Sequence, residues 1–180
     1  MTKRLLLLVS ILALLILSGC LAEANLKVTN NSAAYVTVWL GSGYQMQHIQ
    51  PNGHAFLSIP ALQSSQIYYD GAHIKPGNIF IESEGSGTKY LQLNPDCGAL
   101  KFINSSSRDV REINVRQSGS SVWSSNKINN WLLSGQETSI SLDPGFWEFR
   151  VRDGFNDIHY ITSQEIKLDI TTPYNFFSVR

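Results

Sequence analysis

The chain has 180 residues, with 14 Lys+Arg against 14 Asp+Glu and a formal charge of zero at neutral pH. That balance gives no basic patch or stripe of the kind nucleic-acid binding needs, and the length suits one domain or two small ones. Its two cysteines, Cys20 and Cys97, are too few for a disulfide-stapled scaffold.

At the N-terminus Lys3 and Arg4 precede a nearly pure apolar run over residues 5–17, broken by Ser10. A membrane-spanning helix takes about 20 apolar residues, so this run is too short to span comfortably. A basic start followed by such a stretch reads as a secretory signal. The run ends in Leu17-Ser18-Gly19-Cys20, which resembles the lipobox of bacterial lipoproteins: a leucine, two small residues and a cysteine. The resemblance implies cleavage between Gly19 and Cys20 and acylation of the Cys20 thiol. It also implies sorting to the periplasmic side of the outer membrane in a two-membrane cell, because Leu21 is not the aspartate that commonly retains such proteins at the inner membrane. Losing Lys3 and Arg4 with the signal leaves 12 basic against 14 acidic residues, a formal −2. With no polybasic segment to assist, the lipid itself must hold the chain on the membrane. The expected organisation is a signal over residues 1–19 and a short lipidated tether over residues 20–25.

Beyond the tether the chain reads as strands. Tyr35-Val36-Thr37-Val38-Trp39-Leu40 is rich in β-branched and aromatic residues. Ile113 and Val115 alternate with Glu112, Asn114 and Arg116, and Ile140 and Leu142 with Ser139 and Ser141. Trp147, Phe149 and Val151 alternate with Glu148, Arg150 and Arg152. Period two with one polar face predicts strands half-buried against a second layer. Turn signals separate them, among them Pro51-Asn52-Gly53, Lys75-Pro76-Gly77, Asn94-Pro95-Asp96 and Asp143-Pro144-Gly145. The expected class is all-β, with a sandwich-like architecture. Helical periodicity is weak, and residues 126–133 are the one place where a short helical turn is admissible.

The chain echoes itself. Leu26-Lys27-Val28-Thr29-Asn30-Asn31-Ser32 returns as Leu100-Lys101-Phe102-Ile103-Asn104-Ser105-Ser106, and Tyr69-Asp70-Gly71 as Arg152-Asp153-Gly154. We therefore expect two tandem β units, residues 26–97 and 98–180. The second carries Asn104-Ser105-Ser106, Trp123-Ser124-Ser125-Asn126, Ser134-Gly135-Gln136, Pro144-Gly145 and Phe149-Arg150-Val151-Arg152-Asp153. In that order these resemble small β-sandwich domains of uncharacterised bacterial lipoproteins. The resemblance implies a fold and brings no catalytic residues.

Candidate chemistry is sparse. With Cys20 acylated, Cys97 has no intrachain partner, and Asp96 beside it disfavours a thiolate; a structural cysteine is expected. If Pro51-Asn52-Gly53 closes a hairpin, His48 and His54 lie near each other on one face, but zinc sites want three or four ligands. No metal site, no catalytic residue and no cofactor is expected. Residues 28–69 contain no Asp, Glu, Lys or Arg. Charge depletion with aromatic enrichment marks contact surfaces, and Tyr35, Trp39, Tyr44, Tyr68 and Tyr69 are the candidate binding surface. The expected role is a membrane-anchored, non-enzymatic envelope protein that binds or scaffolds another envelope protein or a glycan, with no nucleic-acid partner. Two alternatives stay open: a carbohydrate-binding module using residues 35–69, and a small hydrolase whose site is assembled from distant His and carboxylate residues.

Overall fold

A computed structural model describes residues 22–41 and 45–178. Gly19, Cys20 and Tyr44 lie outside the described residues. The described chain is all-β: thirteen strands in four sheets. In the first half these are β1 (Glu23–Asn30), β2 (Val36–Leu40), β3 (Met46–Ile49), β4 (His54–Pro60), β5 (Ser64–Gly71), β6 (Ile74–Glu82) and β7 (Thr88–Leu93). The second half holds β8 (Gly98–Asn104), β9 (Val110–Gln117), β10 (Glu137–Leu142), β11 (Gly145–Asp153), β12 (Ile158–Ile166) and β13 (Thr171–Phe176).

The sheets pair around two separate cores. One sheet runs β4-β1-β7 and faces another running β3-β2-β5-β6; Leu26, Val28, Leu57, Ile59, Val36, Val38 and Ile67 fill the space between them. In the second half β10-β8-β13 faces β12-β11-β9, with Leu100, Phe102, Ile140, Ile113, Phe149 and Val151 between. Alternation along each strand places these side chains inward. Leu26 opposes Leu57 in register, and both are essentially fully buried; truncating such a leucine to alanine costs about 2–5 kcal/mol.

Both halves follow the same plan. The first strand pairs antiparallel with a later one and parallel with the last: β1 with β4 and β7, β8 with β10 and β13. The parallel pair sets the first and last strands of each unit side by side. The sequence echo has a structural counterpart at the end of the first strand. Asn30 is fully buried; its Nδ2 donates to the carbonyls of Ala34, Ile49 and Gln50, and its Oδ1 accepts from Ser32 N and Oγ. Asn104, also fully buried, donates to Arg108 and Leu132 carbonyls and accepts from Ser106 N and Oγ. One amide thus stitches the departing strand to the next strand and to a returning segment.

The structure departs from the sequence reading in several places. Lys75-Pro76-Gly77, expected as a turn, lies inside β6. Residues 126–133 form no helical turn; Lys127 N donates to Ile113 O, and Leu132 exchanges both backbone bonds with Val110, so the segment edges β9. The segment around Pro51 closes no hairpin, because β3 pairs with β2 while β4 pairs with β1 in the other sheet. The first strand begins at Glu23, paired with Pro60, inside the expected tether. Trp147 is only half-buried at the core edge, where the β11–β12 register shifts between Trp147 and Phe149.

Candidate functional site

The outer face of the four-stranded sheet is built by strand alternation. Val36 and Val38 point into the core, so Thr37 and Trp39 point out. Trp39 opposes Met46 on β3 and Tyr68 on β5, and Tyr68 opposes Asn78 on β6. A row Met46–Trp39–Tyr68–Asn78 therefore crosses the whole sheet. The Trp39 and Tyr68 rings stack with centroids 5.8 Å apart and planes 12° apart. Gly41 is next along the Trp39 face, and a Cβ there would meet Tyr68 Cε2 at 3.4 Å, an ordinary contact. Flanking polar groups are neutral. Gln66 Nε2 donates to Asn78 Oδ1 at 3.1 Å, and Thr37 Oγ1 bonds His48 Nδ1 at 2.9 Å.

The candidate surface residues do not all share this face. Trp39 and Tyr68 do. Tyr69 points the other way and packs against the core, as neighbours in a strand must. Tyr35 lies beyond the end of β2, 66% exposed. His48 and His54 sit in separate sheets and are both exposed, with His54 edge-on to Phe56. Among the described residues no group of three or more His, Cys, Asp or Glu is placed to hold a metal ion.

Along this face, Thr37 and Asp70 form the next cross-strand pair, and there the surface meets the second unit. A cavity of about 250 Å³ is lined by Tyr35, Thr37 and Asp70 on one side and Ser139 and Ser141 on the other. It shares Asp70, Ser139 and Ser141 with a cleft of about 670 Å³ between the units, where Asp70 and Pro76 face Asn129, Asn130, Trp131, Gln136, Thr138 and Ser139. Trp131 is 50% exposed, and the Arg111 guanidinium lies 4.3 Å from its ring centroid. The sequence reading missed this wall. Its signal was of the kind used for residues 28–69: residues 118–136 contain Trp123 and Trp131 and a single charged residue, Lys127.

Beneath the cleft the two units are latched. His73, 2% exposed, bonds Asp169 Oδ1 through Nδ1 at 3.0 Å and Thr171 Oγ1 through Nε2 at 2.8 Å. Asp169 Oδ1 also accepts from Ala33 N. A neutral ring with its proton on Nδ1 donates to the carboxylate and accepts from Thr171 through Nε2. The order carboxylate–imidazole–hydroxyl is that of a nucleophile-activating triad. Here, though, the ring is buried, and both its side-chain partners, Asp169 and Thr171, lie in the second unit, so the array joins the units. Ser141 Oγ reaches the Gly71 and Ala72 carbonyls, and Lys75 pairs with Asp143. Cys97 is fully buried here. Burial, then the adjacent Asp96 carboxylate, push its thiol up to about 12, so it stays protonated and inert.

The class this geometry defines is an all-β protein of two like-built units with an aromatic sheet face, bordered by Asp70 and Glu82, that adjoins a polar cleft between them. No family model and no curated protein matches the chain. Solved structures similar to it include the minor pilin GBS52 of Streptococcus agalactiae, 8% identical with a TM-score of 0.30 over 86% of this chain and 94% of that one. The shaft pilin SpaA of Lactobacillus rhamnosus GG is 5% identical with a TM-score of 0.32 over 87% of this chain and 96% of that one. The Bacillus anthracis TIE protein is 9% identical with a TM-score of 0.30 over 87% of this chain, which spans 34% of that protein's length. Likeness at these scores transfers no role to this chain.

Proposed function

We propose that the chain is an exported envelope lipoprotein, acylated at Cys20, that binds without catalysis through the outer face of its four-stranded sheet and the adjoining cleft. The sequence Leu17-Ser18-Gly19-Cys20 supports the anchor, and Leu21 supports the outer membrane's periplasmic side. The stacked Trp39–Tyr68 pair carries the binding reading: two large rings lie on an outward sheet face in a stretch free of charged residues over 28–69. Aromatic side chains held by a rigid sheet supply contact area at low entropic cost, and depletion of charge is the compositional mark of an interface centre. The buried His73 array gives no support to hydrolysis, since its hydroxyl and carboxylate are committed to holding the units together.

The test is retention of the detergent-solubilised, full-length protein on the insoluble cell-wall and envelope fraction of its own cell. The Trp39→Ala/Tyr68→Ala variant should lose retention several-fold while keeping its circular dichroism spectrum. Retention equal to wild type would overturn the reading.

A further inference from the structure

We infer that the cleft between the two units is a binding groove for an uncharged oligosaccharide, with the Trp39–Tyr68 face as its extension. This deepens, and rests on, the binding role proposed above. Four observations carry it.

Size comes first. At about 670 Å³ the cleft falls in the range of sites that bury most of a small ligand, and the adjoining cavity of about 250 Å³ lengthens it along the sheet. A groove of that form suits a short chain of rings.

The second observation is the chemistry of the walls. Asn129, Asn130 and Ser139 are exposed on the cleft, and carboxamides and hydroxyls offer donors and acceptors together. A ligand that is itself dense in hydroxyls pairs with such groups; an apolar ligand would leave them unpaired at a cost. Asp70 lines both cavities, and a carboxylate there can accept from two neighbouring hydroxyls at once.

Third, the groove is electrically quiet. Its charged lining residues are Asp70, Lys127 and Glu137, and Glu137 is already paired with Lys101 at 2.9 Å. A phosphorylated or sulfated ligand needs concentrated positive charge, which these walls lack.

Fourth, aromatic rings border the groove: Trp131 lines the cleft, and Trp39 with Tyr68 follows Thr37 and Asp70 on the same sheet face. The C–H face of a sugar ring packs on such surfaces while its hydroxyls stay hydrogen-bonded at the rim.

Isothermal titration of the detergent-solubilised, full-length protein with cellohexaose, chitohexaose and maltohexaose tests this. At least one should bind saturably. Trp131→Ala and Asp70→Asn should each weaken it ten-fold or more, while Trp123→Ala, outside the cleft, should leave it unchanged. Silence from all three sugars, or equal affinity in the Trp131 and Asp70 variants, overturns the saccharide groove. If the sugars are silent yet Trp39→Ala/Tyr68→Ala still abolishes envelope retention, the ligand class falls and the binding role stands. If neither readout moves, both fall.

Discussion

His73 of the first unit and Asp169 of the second, 96 positions apart in the chain, share a hydrogen bond of 3.0 Å in the junction between two separate cores. The bond runs from the first unit to the second, and Asp169 also accepts from Ala33 N, so this contact bears on how the units sit together.

Replacing His73 by Ala should therefore loosen the junction and leave both cores intact. It removes the Nδ1 donor to Asp169 and the Nε2 acceptor for Thr171, a loss of about 1–3 kcal/mol for a buried hydrogen-bonded group. Chemical denaturation should separate into two transitions, and hydrogen exchange should rise at residues 70–75 and 167–171. A single unshifted transition would mean that the other junction contacts suffice.

Asn30 and Asn104 should behave as equivalents. Each donates to backbone carbonyls that have little access to water, so Asn30→Ala or Asn104→Ala leaves buried acceptors unpaired and should cost about 1–3 kcal/mol. Asn→Asp should cost more at neutral pH, because it sets a carboxylate oxygen against those same carbonyls. Urea midpoints of the four variants check this; a large effect at one position and none at the other would break the structural correspondence between the units.

The parts of this fold that were legible in sequence are those with a local signal. The alternation from Trp147 to Arg152 specified a strand with Phe149 and Val151 inside, and both are fully buried. The Asn-x-Ser echo marked equivalent positions because the same short-range bonds are made twice. Sheet membership was not legible: β3 and β4 follow each other in sequence but join different sheets, and parallel pairing of β1 with β7 leaves no local trace. Uncharged composition pointed to a surface but could not divide it, since Tyr68 and Tyr69 face opposite sides. The cleft was hidden for a similar reason. Its walls meet only when Asp70 comes against Ser139, and most of the second wall comes from an irregular segment without strand periodicity.

Asp153 should make the second unit acid-sensitive. Burial raises its carboxyl, but bonds from Arg108, His159 and the backbone N–H groups of Asp157 and Phe155 outweigh this and hold it at about 2. An unfolded Asp titrates near 3.9. The folded value is the lower one, so the carboxylate's contribution is complete above about pH 4 and fades as pH falls toward about 2. Asp153→Asn should be less stable than wild type at neutral pH, with the gap narrowing through that window. Denaturant midpoints at pH 7, 4 and 2.5 read it directly; a constant gap would show that the carboxylate's charge plays no part.

The proposed anchor predicts where the folded body sits. Strand β1 begins at Glu23, and even Ala22 is engaged, its carbonyl accepting from Ala61 N at 2.8 Å. With acylation at Cys20, Leu21 and Ala22 alone separate the lipid from the sheet, a reach of about 7–10 Å at ~3.5 Å per residue. The first unit should rest on the bilayer surface, with β1 running away from it toward Asn30 and the junction. A Gly/Ser linker of about 30 residues inserted after Leu21 should lift the body by about 30 Å, since such chains span about 5–6 Å times the square root of their length. Neutron reflectometry on supported bilayers would resolve the two heights. The Cys20→Ser variant should incorporate no labelled palmitate and leave the bilayer bare. Unchanged labelling in that variant would remove the anchor, and equal heights with and without the linker would show that something other than the tether holds the body down.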